Sequence, residues 1–136
     1  MINNIIVPIL SAPILETGET GTSIFSEIQF SLEDYNGLFI TQRQEALNFR
    51  YRVSEPGYFS AWHVAGDRTL IIIRSGTLRI TLRNGEYRDF TAGDLFIADD
   101  RLQKDEVFNN AVHGHSAELI GEQVLHAVHI KLTQFN

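Results

Sequence analysis

No cysteine occurs in this chain of 136 residues, so disulfides, thiolate metal ligands and a cysteine nucleophile are all excluded. Basic residues are scarce: 11 Lys and Arg stand against 17 Asp and Glu, for a formal net charge of −6. They form no cluster in the sequence, so counterion release has little to act on. Neither nucleic acid nor an anionic membrane surface is therefore an expected partner. Three prolines and ten glycines are too few for a disordered or collagen-like chain. Long apolar runs are missing as well. The first fifteen residues, MINNIIVPILSAPIL, lack a basic start and are interrupted by Pro8 and Pro13, unlike a signal peptide. No run approaches the roughly 18 apolar residues of a membrane-spanning helix. These absences point to a soluble, cytoplasmic protein.

What is present is a succession of short β-type segments separated by turn residues. At 43% apolar content the chain can bury one real core, and the expected fold class is all-β. Ser23 to Leu32 places Ile24, Ile28, Phe30 and Leu32 on one side of a period-two pattern, and Asn36-Gly37 then turns the chain into Leu38 to Thr41. Asn48 to Val53 alternates again, with Phe49, Tyr51 and Val53 together. Thr77 to Arg83 alternates up to Asn84-Gly85, a pair that favours a two-residue hairpin turn with positive φ at both positions. Thr69 to Ile73 (TLIII) reads as a strand buried on both faces. Leu95 to Ala98 and Gln123 to Leu132 supply later strands. Thr41 to Leu47 could form one helical turn; nothing longer has helical periodicity.

Five histidines, His63, His113, His115, His126 and His129, are the one cluster suited to metal binding or acid–base chemistry, since strand-borne imidazoles can converge inside a barrel. Around the first of them, Gly57, His63 and Gly76 resemble the first cupin motif: Gly, five residues, His, one residue, His, three or four residues, Glu, six residues, Gly. Ala65 stands at the second histidine position and Thr69 at the glutamate position. Gly93 opens a counterpart of the second motif, with Asp99 and Arg101 at its Pro and Gly positions. An inserted stretch, LQKDEVFNNAVHG, then precedes His115, and Leu119 replaces the motif's Asn. The resemblance spans roughly Gly57 to Leu132.

The resemblance implies a double-stranded β-helix, or jelly-roll barrel, filling residues 1–136 as a single domain. Its N-terminal arm would be residues 1–22 and its barrel residues 23–132. It also implies binding of a small organic molecule, with a divalent metal ion (Fe, Zn, Ni or Mn) held by His63, His115 and His129. His113 or His126 are substitutes for the third ligand. On the last strand, Leu125, Ala127, His129 and Lys131 share one face; the face of His126, Val128, Ile130 and Leu132 is the more apolar and has the better claim to the core. Thr69, Ala65, Ile71, Ala117, Leu119 and Tyr51 are the expected pocket residues. An oxygenase- or isomerase-type enzyme would use the metal to polarise an oxygen or activate water. The alternative is a non-catalytic, metal-free ligand-binding or sensor module in which the histidines are buried and neutral. A metal-free base would need a carboxylate behind His63 or His115, and none is evident. Asp99, Asp100, Asp105 and Glu106 beside the insertion read as solvated loop charges, as ligands to a hard cation, or as a general base at the barrel mouth. The apolar stretch Ile5 to Leu15 suggests a homodimer seam, or else a segment sealing the barrel base of a monomer.

Overall fold

The computed structural model describes residues 6–133, so Ile5 lies outside it. Its strands run β1 (Leu10–Thr17), β2 (Ser23–Phe30), β3 (Glu33–Tyr35), β4 (Leu38–Ile40), β5 (Ala46–Ser54) and β6 (Phe59–His63). They continue as β7 (Thr69–Ser75), β8 (Leu78–Thr81), β9 (Tyr87–Phe90), β10 (Leu95–Ala98), β11 (His115–Leu119) and β12 (Leu125–Leu132). No helix occurs among the described residues, which makes the protein all-β and leaves no helix able to cross a membrane.

Six strands form one sheet in the order β2-β1-β10-β7-β12-β5, and four form a second in the order β6-β11-β8-β9. All neighbours are antiparallel except β1 and β10. The short pair β3-β4 stands apart. The core lies between the two larger sheets: Ile71, Ile73, Phe96, Leu125 and Ala127 from one meet Leu78, Ile80, Phe90, Ala117 and Leu119 from the other. The stacked rings of Phe90 and Phe96, 4.2 Å apart, join the sheets. Side chains as fully buried as Phe96 and Ile73 each stabilise the fold by about 1.5–3 kcal/mol.

Several local expectations change. β7 is not buried on both faces: Thr69, Ile71 and Ile73 face the core, while Leu70 and Ile72 keep part of their surface in water. Asn36-Gly37 does have positive φ at both residues, 53° and 93°. At Asn84-Gly85 only the glycine does, at 89°. Gly85 N–H donates to Leu82 O at 3.0 Å and Leu82 N–H to Glu86 O at 2.8 Å. That is a type I turn followed by a left-handed glycine, the longer hairpin solution. Residues 41–45 are irregular rather than helical, and Ala46 already begins β5.

Within the N-terminal segment of residues 1–22, Leu10–Thr17 is a strand of the sheet. β1 pairs along its whole length with β2 and also with β10, burying Ala12, Ile14 and Leu15. Ile6, Val7, Ile9 and Leu10 ahead of these stay exposed, and β10 covers the other edge of β1 only at Ile14 and Leu15. The edge strands of this sheet are β2 and, at the other end, β5. There Tyr51 points outward, 72% exposed, which removes it from any interior pocket. Strand alternation sends Arg50 and Arg52 to the opposite face.

Candidate functional site

β6 ends on His63 and β11 begins on His115, and these two residues are direct cross-strand partners. A bulge follows between His115 and Ala117, the kind of irregularity that re-aims a side chain at the rim of a sheet. The imidazole rings lie 4.4 Å apart, inclined at 57°. His63 Nδ1 sits 2.6 Å from Ala61 O and 3.2 Å from Ser60 Oγ. A carbonyl can only accept, so Nδ1 carries the proton and Nε2 keeps its lone pair.

Behind His115 stands Asp100, with no solvent exposure. Its Oδ2 accepts from His115 Nδ1 at 2.6 Å and from the Ser23 hydroxyl at 2.7 Å; Oδ1 accepts the Ala65 N–H at 2.9 Å. Burial alone would push this carboxyl up and is the largest single influence. The bond and charge of His115, with the Ser23 and Ala65 donors, outweigh it and hold Asp100 below its usual range. An ionised Asp100 fixes the proton of His115 on Nδ1, leaving Nε2 as the working nitrogen. Asp100 thus gathers residues from β2, from the turn after β6 and from β11. Asp99 beside it is also nearly buried, against Arg68 at 2.7 Å and Arg101. Neither aspartate is the solvated loop charge that its flanking position suggested. The signal for Asp100 was indirect: two adjacent carboxylates directly follow the apolar strand LFIA.

His63 and His115 line a cavity of about 290 Å³ together with Ala65, Thr69, Ile71 and His129. Ala117 and Leu119, expected in the pocket, belong to the apolar core instead. On β12 the inward face is that of Leu125, Ala127, His129 and Lys131; His126 is exposed. The less apolar face turns inward because its far half lines the polar cavity rather than the core. His113 is buried elsewhere, its Nδ1 accepting the Asn109 N–H at 2.8 Å and its Nε2 lying 3.4 Å from Glu106. It pins the inserted loop.

The cavity holds three cations that the expected pocket lacked: Arg50 and Arg52 from β5 and Lys131 from β12. Burial, then Arg52 and Arg50, push the His129 pKa down to about 4; burial is also the main cause lowering His63. An unfolded chain takes up the His129 proton near pH 6.5 and the folded one only near 4. Between those values the unfolded state holds more protons, so stability is complete above pH 6.5 and declines towards pH 4. His129 is partly exposed, and screening limits the loss to about 1 kcal/mol. Urea unfolding at pH 7 and pH 4.5, with chelator present, should show that extra loss in wild type relative to His129→Gln. Equal losses in both proteins would refute it.

The donor set for a metal stops at two imidazoles. Among the described residues no three His, Cys, Asp or Glu side chains gather closely enough to hold an ion. A larger cavity, about 1090 Å³, opens between β1, β2, β10 and the 41–44 segment, lined by Leu10, Phe30 and Leu95 among others. It contains no histidine and lies apart from the Asp100 network.

No family model matches the chain, and no curated protein matches it. The solved crystal structure of protein NMB1881 from Neisseria meningitidis is similar at 14% identity and a TM-score of 0.41. The match covers 74% of this chain and 100% of that one.

Proposed function

We propose that this chain is a cupin-like jelly roll that binds a small organic molecule over His63, His115 and His129, with His115 as an acid–base group. The observation that carries this reading is the buried Asp100 carboxylate, 2.6 Å from His115 Nδ1. Burying an ionised carboxylate costs several kcal/mol. The bond from Asp100 keeps the His115 proton on Nδ1 and leaves the opposite nitrogen, on a side chain of the cavity wall, free to accept. The carboxylate required behind a metal-free base is thus supplied by the residue that follows Asp99. Support for the jelly roll comes from the motif spacing: His63, Ala65 and Thr69, the ligand positions of the first motif, all line the same cavity.

A second reading, a divalent metal (Fe, Zn, Ni or Mn) on His63 and His115 completed by ligand and water, rests on a different feature. Both imidazoles fix Nδ1 on an oxygen partner, as metal-bound histidines do.

One experiment separates the two. The imidazole ¹⁵N resonances are followed while acidic, neutral and basic metabolites are added, and metal content is measured by elemental mass spectrometry. Wild type and a His63→Ala, His115→Ala double variant are compared. Saturable shifts of the His63 and His115 signals by one compound class are expected, with little metal in either protein. Near-stoichiometric metal in wild type, lost in the double variant, would replace the acid–base reading with the metal one. Silence of both imidazoles towards every class would overturn the binding function.

A further inference from the structure

The charge around the cavity is one-sided. Its wall carries Arg50, Arg52 and Lys131 and no aspartate or glutamate, in a chain whose formal net charge is −6. Asp100, the nearest carboxylate to the imidazoles, is fully buried and its oxygens are engaged by His115, Ser23 and Ala65. Strand register explains how the cations meet. On β5 and β12, Arg50 is opposite His129 and Asn48 is opposite Lys131; on β7 the same β12 residues face Ile71 and Thr69. Two cross-strand rows, Arg50-His129-Ile71 and Asn48-Lys131-Thr69, therefore form one continuous patch of the sheet's inner face. Arg52 lies two residues along β5 on the same side.

Lys131 reaches Asp67 at 3.2 Å, in an exposed pair of the kind that contributes little. Neither Arg50 nor Arg52 has an ion-pair or hydrogen-bond partner among the described residues. Two neighbouring guanidinium groups without an anion repel one another. Natural sheets place cross-strand cations against carboxylates, and here the facing strand offers His129 instead. An anion entering the cavity would supply that counter-charge.

We infer that the ligand of this site is a small organic acid, its carboxylate held by Arg50 and Arg52 and its other end reaching His63 and His115. The inference rests on the cavity being the ligand site and adds the ligand's chemical class. Guanidinium forks bind carboxylates through paired, charge-assisted hydrogen bonds, with the Asn48 amide as a further polar group on the same wall. The volume of about 290 Å³ is some ten times the share of one water in the liquid, room for a ligand of about ten non-hydrogen atoms. At the other end, the Nδ1 protons of His63 and His115 are already committed, so their Nε2 lone pairs would meet a donor or an acidic hydrogen on the ligand.

The test uses mono- and dicarboxylic acids of up to ten heavy atoms, the matching amides, and inorganic phosphate. Each is titrated into the full chain by calorimetry, with the imidazole resonances as reporters. The variant is Arg50→Gln, Arg52→Gln; both positions are exposed on the edge strand, and its melting temperature checks that the fold is kept. At least one acid should bind wild type, and bind the variant ten-fold or more weakly, while its amide does not bind. Affinity should also fall as salt rises. Amides binding as well as acids, or affinity unchanged in the variant, would overturn the organic-acid inference and leave the binding function standing. Phosphate binding without any carboxylate would also overturn it. If neither acids nor amides move the His63 and His115 signals, the proposed function falls with it.

Discussion

Asparagine in place of Asp100 is expected to cost about 2–4 kcal/mol of stability, the range for disrupting buried hydrogen bonds to a charged group. The side chain keeps its shape and loses its charge. Its single carbonyl oxygen can still accept the Ala65 N–H, which now reaches Oδ1 at 2.9 Å. The amide NH₂ then stands where Oδ2 accepts from both Ser23 and His115. The Ser23 hydroxyl can rotate and accept. The imidazole cannot donate to a donor, so its proton must move from Nδ1 to Nε2. Two readouts follow from one substitution: a lower urea midpoint, and exchange of the protonated nitrogen of His115 in ¹⁵N spectra at pH 7.5. If stability changes by less than about 0.5 kcal/mol and the tautomer is unchanged, Asp100 does not orient His115. The acid–base reading then loses its carrying observation.

Gly114→Ala should be still more damaging. Gly114 has a φ of 85°, a conformation that costs L-residues about 1–2 kcal/mol. It also packs against β6 so closely that an added Cβ would lie 2.7 Å from the His63 carbonyl carbon, 2.9 Å from its nitrogen, and nearer still to its oxygen. Backbone cannot yield there without separating His63 from His115, which are cross-strand partners. The expected loss exceeds about 3 kcal/mol, or the protein fails to accumulate folded. Gly57→Ala and Gly66→Ala supply the control. Their φ values, 95° and 76°, are equally left-handed, but nothing lies within 4 Å of an added Cβ. They should lose only that conformational cost, about 1–2 kcal/mol each. A Gly114→Ala protein as stable as those controls would mean that the two histidine strands are not in close backbone contact.

Much of the strand content was legible because period two is a local property. The alternation of Leu78, Ile80 and Leu82, and the β-branched run of β7, needed no knowledge of partners. The turn at Asn84-Gly85 was misread, although the hairpin itself exists, because the dipeptide serves two turn geometries and strand pairing selects between them. The β12 face was ambiguous for the same kind of reason: Leu125, Ala127, His129 and Lys131 look like the wetter face until the sheet places half of it on the core and half on a polar cavity. Ala65, Thr69 and Ile71 line one cavity, and strand alternation by itself puts Thr69 and Ile71 on one face. The side taken by Tyr51 was not legible that way, since inside and outside on an edge strand depend on which sheet covers it.

Composition and local pattern by themselves determined an all-β chain without cysteine chemistry and singled out the histidines as the groups worth placing. Only the tertiary structure decided which of them meet and what stands behind them. His63 and His115 are 52 residues apart, Ser23 and Asp100 are 77 apart, and no local periodicity encodes such distances. Whether a carboxylate is a solvated loop charge or a buried partner depends on desolvation and hydrogen bonding. Both are set by the strands that close around Asp100, and not by the residues beside it in the chain.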